Sequence, residues 1–128
     1  MLSHLPDHGM GELRRRGLLH LLALLMLLLT AADHWTTYLC LKAPVPGFEV
    51  SEANPIAEWL FRSMGLVPGI LLDTAVTLAA VGFLVWTALI PRATKRIFLL
   101  VVIGWTGYAV LNNLLAIVAM GLSPLEPA

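Results

Sequence analysis

Asp33, His34, Asp73, Asn112 and Asn113 lie inside three otherwise apolar runs, residues 17–41, 66–90 and 97–122. An ionisable group in hydrocarbon costs from about 2.5 kcal/mol upward on insertion scales, so it faces a partner, a cavity or a functional site. Three kinds of chemistry are open to this set. Asp33 and Asp73 within hydrogen-bond range would share a proton, because two carboxylates do not easily both ionise in a low dielectric. A charged His34 would instead neutralise one of them as an ion pair. The third option is an oxygen-rich divalent-metal site with His34, Asp33 and Asp73 as candidate ligands. No spacing matches an established metal motif, and neighbours on a helix such as Asp33 and His34 point about 100° apart. No motif assigns a catalytic residue or a cofactor.

These residues sit in a chain of 128 residues, 59% hydrophobic and 12% charged, with mean hydropathy +0.84. Soluble domains carry about 25% charged residues, so the composition is that of an integral membrane protein. The net charge is zero, and the few basic residues form two short clusters, which excludes a nucleic-acid surface and leaves the lipid bilayer as the expected partner. Cys40 is the only cysteine. It rules out an internal disulfide or a cysteine metal cage and reads as a small apolar helix residue.

Each apolar run is long enough, at about 1.5 Å per residue, to cross a core of about 30 Å. Residues 91–96 leave room only for a turn, so the second and third spans are expected to be antiparallel neighbours. The 42–65 link is longer. Ala43-Pro44-Val45-Pro46-Gly47 reads as a helix stop. Asn54-Pro55 then reads as an N-cap followed by proline at the first helical position. A short amphipathic helix over 55–64 follows, with Ile56, Ala57, Leu60, Phe61 and Met64 on one face, a Glu58/Arg62 pair opposite and Gly65 at its end. It is too short to span, and Trp59 suits a place near the headgroups.

The expected fold is therefore all-α: one membrane domain over 1–128, a three-helix bundle with a short interfacial helix between its first and second spans. Arg14, Arg15 and Arg16 before the first span, and Arg92, Lys95 and Arg96 in the turn, place both clusters on the cytoplasmic side of an inner membrane. The 42–65 link and the carboxyl terminus then lie outside. A second reading of the amino end is a signal peptide cleaved after Ala32, against which the apolar pattern resumes at Trp35, Tyr38, Leu39 and Leu41.

Counting from the outer end of each span, Asp33 lies about 12 Å deep, Asp73 about 10 Å and the Asn112-Asn113 pair about 14 Å. All three spans carry their polar groups at nearly one level. At about 100° per residue, Thr30, Asp33, Thr36, Thr37 and Cys40 share a stripe on the first span, which leaves His34 outside it. Asp73 and Thr77 share a face of the second, where Ala75, Ala79 and Gly82 offer a small-residue face for a homo-oligomer or a membrane partner. On the third, Asn112 lines up with Trp105 and Tyr108, and Asn113 with Thr106 and Ala109.

Asp33, Thr36 and Thr37, followed by Glu52, Asn54 and Pro55, form a D-x-x-T-T then E-x-N-P pattern. In this the chain resembles a family of small prokaryotic membrane proteins, a domain of unknown function. The resemblance implies the architecture through the third span and no activity. Members often carry a basic residue early in the second span, where this chain has Asp73. Local physics accounts for the second motif too, since Asn54 caps the short helix and Glu52 favours its positive end. The expected site is an outward-facing polar pocket formed by Asp33, Thr36, Thr37, Glu52, Asn54, Asp73, Asn112 and Asn113. It would serve binding or an accessory role. The alternatives are an enzyme or ion site using Asp33 and Asp73 as proton carriers, and a structural subunit in which the layer only fixes helix packing.

Overall fold

Four helices and no strand make up the described residues of a computed structural model, 8–42, 45–52 and 54–125. They are α1 (His8–Leu41), α2 (Pro55–Met64), α3 (Leu66–Trp86) and α4 (Arg92–Ala119). Three of them, α1, α3 and α4, are long and apolar enough to cross a membrane. Ala43, Pro44 and Ala53, on which parts of the expected helix stop and loop motif fall, lie outside the described residues, as do 1–7 and 126–128.

Local chemistry sets the helix ends. At α2 the Asn54 side chain accepts from the backbone N–H of Ile56 at 3.0 Å and of Ala57 at 3.5 Å, with Pro55 at the first turn. These are donors that a helix start leaves without intrahelical partners. Gly65 closes α2 at φ 95°, a conformation that glycine adopts without a Cβ clash. Arg62 donates to Glu58 at 2.7 Å on the exposed side. α4 ends in a Schellman arrangement: Gly121, at φ 73°, donates to the Val118 carbonyl at 3.0 Å and Leu122 to that of Ile117 at 3.0 Å.

Four boundaries differ from those expected, the least of them the end of α4, at Ala119 rather than 122, where the turn at Gly121 closes the helix. α1 starts well before residue 17, because Arg14 to Arg16 continue the helix; hydropathy marks the apolar run and not the backbone ladder. α3 stops at Trp86 rather than 90, and α4 starts at Arg92 rather than 97. Thr87 leaves α3 in extended backbone (φ −67°, ψ 140°), and Pro91, extended at φ −61° and ψ 145°, is the N-cap from which α4 starts and disfavours helix at Ile90. Lys95, buried at 5% exposure, fastens this corner by donating to the carbonyls of Val85 at 3.3 Å and Thr87 at 2.6 Å. Its ammonium satisfies carbonyls at the end of α3 that lack helical donors.

α1 is the central helix, packing against α4 and α3, while α2 packs on α3. α3 and α4 meet near their connecting turn, where Leu84 packs with Leu99, and approach little beyond it, so the pairing expected from their short connection is confined to that end. A short connection fixes the proximity of two helix ends and leaves their sides free to face a third helix. Near the turn, Leu19 and Met26 of α1 join Leu84 and Leu99 in one apolar cluster. At the opposite end Leu39 and Cys40 pack with Ile117 and Met120, a cluster that joins α1 to α4.

Gly69 is where α2 seats on α3. A Cβ there would stand 2.6 Å from Phe61 Cδ1. Gly69→Val is expected to lift α2 off α3 at a cost of about 1–3 kcal/mol, the range for overpacking a close contact. Hydrogen exchange should rise over 55–64 and stay unchanged in the α1/α4 cluster; unchanged exchange in α2 would refute this seating.

Candidate functional site

Two hydrogen-bonded groups leave α1 in different directions. The first runs to α4, where Asn113 Nδ2 donates to Asp33 Oδ1 at 3.2 Å, Thr36 Oγ1 at 3.0 Å and Thr37 Oγ1 at 3.2 Å. A carboxamide nitrogen carries two hydrogens, so three acceptors share them. The Thr36 hydroxyl hydrogen is directed to its own helix, at Ala32 O (2.9 Å) and Asp33 O (3.1 Å), which leaves its lone pairs for Asn113.

The second group runs to α3 through His34, which is buried. Its Nε2 lies 2.8 Å from Asp73 Oδ2, and its Nδ1 lies 2.8 Å from Thr74 Oγ1. The Thr74 hydroxyl also reaches the Ile70 carbonyl at 2.8 Å. It has one hydrogen to give. With that hydrogen on Ile70, Nδ1–H donates to Thr74, and a second ring hydrogen on Nε2 makes an imidazolium facing the Asp73 carboxylate. With it on Nδ1, the ring is neutral and Nε2–H still donates to Asp73. In either arrangement Thr74 sets the ring's orientation, and one proton lies between His34 and Asp73.

A cavity of about 610 Å³ occupies the angle between these two groups. α1 supplies Thr30, Asp33, His34 and Thr37 to its back wall, α3 supplies Asp73 and Thr77, and α4 supplies Thr106, Ala109 and Asn113. The end toward the 42–65 link is covered by Val50, Ser51, Glu52, Asn54, Pro55 and Ala57, with Phe61 of α2. Glu52 Oε1 accepts from the Asn54 backbone N–H at 3.0 Å. Trp105, Tyr108 and Asn112 complete the lining, yet Trp105 is 76% and Tyr108 68% exposed and Asn112 is exposed. They therefore stand at its mouth.

The eight residues expected at the site separate into groups. Asp33, Thr36, Thr37 and Asn113 are joined directly by hydrogen bonds. Asp73 reaches them through its neighbour on α1, since its own partner is His34. Glu52 and Asn54 stand at the covered end, and Asn112 at the mouth. Asp33 has His34, Glu52 and Asp73 as electrostatic neighbours, while its hydrogen bond comes from Asn113. Of the three chemistries open to the sequence, the ion pair with His34 is the one whose geometry is present. No three His, Cys, Asp or Glu side chains converge as a metal site among the described residues. The small-residue face is divided: Ala79 and Gly82 lie in a separate groove on α3, and Ala75 is exposed.

Two residues carry more of the site than sequence reading assigned them. His34 falls outside the Asp33 stripe, and it does so because it faces a different helix. Thr74 is not among the residues expected at the site; the available signal is a hydroxyl next to the Asp73 carboxylate in an apolar run. Farther toward the turn, His20 Nδ1 pairs with the Arg16 carbonyl of its own helix at 2.7 Å, so the polar layer does not continue through it.

Asn113→Leu removes the donor shared by three α1 oxygens and leaves the Asp33 carboxylate without it. A loss of about 1–3 kcal/mol is expected for unpaired buried acceptors, read as a lower unfolding midpoint in mixed detergent–SDS micelles. A midpoint within error of the parent chain would show that Asn113 does not hold α1 to α4. Compared with known proteins, the chain matches no family model, no curated protein and no solved structure, so the geometry of this polar layer is what points to function.

Proposed function

We propose that the chain is an inner-membrane protein spanning the bilayer three times, and that the cavity beside Asp33 and His34 binds a small polar ligand. Three helices of spanning length support the membrane reading. The positive-inside rule supports a cytoplasmic amino terminus and an external carboxyl terminus. Arg14 to Arg16, Arg92, Lys95 and Arg96 carry that argument. α2 then lies at the outer surface, a reading favoured by the 64% exposure of Trp59. Of the D-x-x-T-T and E-x-N-P residues, which are the basis of the likeness to small prokaryotic membrane proteins, Asp33, Thr37, Glu52, Asn54 and Pro55 line the cavity, and Thr36 is bonded to Asn113 beside it.

The single observation that carries the binding reading is the cavity itself. Its volume is within the range of small-molecule sites, and polar side chains from all three spanning helices converge on it. Among the described residues Asp33 accepts one side-chain hydrogen bond, from Asn113, and a carboxylate has room for several. A second reading, in which the layer only fixes helix packing, is favoured by one fact. No buried side-chain nitrogen or oxygen among the described residues lacks a hydrogen-bond partner, so the fold does not require a ligand to satisfy it.

Thermal unfolding of the detergent-solubilised chain separates these. Ligand at about a hundredfold excess over its Kd stabilises by about 2.7 kcal/mol. In a panel of short primary amines, polyols and divalent cations, at least one class is expected to raise the midpoint of the parent chain and to lose that effect in Asp33→Asn. A flat panel on a well-folded parent chain would leave the packing reading standing.

A further inference from the structure

The mouth of the cavity opens in an unusual direction. Its back is α1, its covered end is the 50–57 segment with Phe61, and its sides are α3 and α4, which meet near the turn at Leu84 and Leu99 and pack little beyond it. What remains open is the gap between those two helices. Trp105 and Asn112, which stand at that gap, lie about 21 Å and about 10 Å along α4 from its end at Ala119, counted at 1.5 Å per residue. In a spanning helix this is the depth of acyl chains and not of water.

The charge inside the mouth is one-sided. Asp33, Glu52 and Asp73 line the cavity, and no lysine or arginine does among the described residues. The only basic group, His34, is engaged by Asp73 and Thr74 on its two nitrogens. An anionic headgroup would meet uncompensated carboxylates, whereas a primary ammonium offers three donors to a wall of acceptors.

We infer that the cavity takes the primary-amine head of a membrane amphiphile, which enters sideways from the outer leaflet between α3 and α4 and leaves its chain in lipid. This rests on the binding reading above and names its ligand. Trp105 and Tyr108 flank the entry, where an aromatic face suits both the chain and the cation.

The test uses the full chain in phosphatidylcholine nanodiscs and long-chain nitroxide-labelled probes that differ only in the head: primary amine, alcohol and carboxylic acid. Electron paramagnetic resonance should show a motionally restricted population for the amine beyond that of the other two. Asp33→Asn, which keeps the side-chain shape, should weaken it about tenfold, the scale of a lost charge-assisted contact. Ala109→Leu, which fills part of the cavity from the α4 wall without touching charge, should reduce it as well. Equal restriction of all three probes would reduce the effect to ordinary annular lipid and overturn the inference. So would restriction of the amine that is indifferent to Asp33→Asn. If butylamine raises the unfolding midpoint of the parent chain in an Asp33-dependent way while the long-chain amine shows no restricted population, sideways entry is wrong and the binding reading survives. If neither amine registers on a folded chain, this inference falls, and the binding reading then depends on the other ligand classes.

Discussion

The divergence of two neighbouring side chains on α1 governs the rest of the molecule. Residues 33 and 34 leave a helix about 100° apart, and here each holds a different helix. Asp33, with Thr36 and Thr37, engages Asn113 of α4, while His34 engages Asp73 and Thr74 of α3. One helix bonded along two edges keeps its neighbours apart at that level. The cavity is the space enclosed by that angle.

Apolar packing alone would not set this arrangement. In a bilayer, leucine gains little by exchanging lipid for another leucine, so helix rotation is left to close packing and to interhelical hydrogen bonds, each worth about 0.6 kcal/mol on average. The apolar clusters divide the work by depth. Near the turn, Leu19, Met26, Leu84 and Leu99 bring all three long helices together. At the other end the Leu39, Cys40, Ile117 and Met120 cluster joins α1 and α4. The half of α3 nearer α2 thus depends on His34 and on the seating of Phe61 over Gly69. That is the wall with the fewest attachments, and it borders the opening of the cavity.

Much of the local structure was legible in residue order. Asn54, Pro55 and Gly65 bound α2 as their chemistry requires, with the N-cap bond to Ile56 and the positive φ at Gly65. Counting depth also showed that Asp33, Asp73 and the Asn pair belong to one level. Counting faces was less effective. It divided Asn112 from Asn113 correctly but could not say which faced α1, and it excluded His34 by centring the stripe of α1 on Asp33. Hydropathy overextended α3 past Trp86, because residues 87–90 continue the apolar run while the backbone turns extended at Thr87.

Sequence by itself determined three spans of the right length, a capped short helix between the first two, and a common depth for the polar groups. Each of these depends on neighbours within a few positions, through a rise of about 1.5 Å per residue, local capping and composition. Tertiary structure alone decided that α1 is the centre, that α3 and α4 part beyond their turn, and that His34 rather than Asp33 pairs with Asp73. The bonds responsible join positions 34 to 73 and 33 to 113. Rotation about a helix axis has no local signature, because any face of an apolar helix is acceptable to lipid until a partner far along the chain selects one.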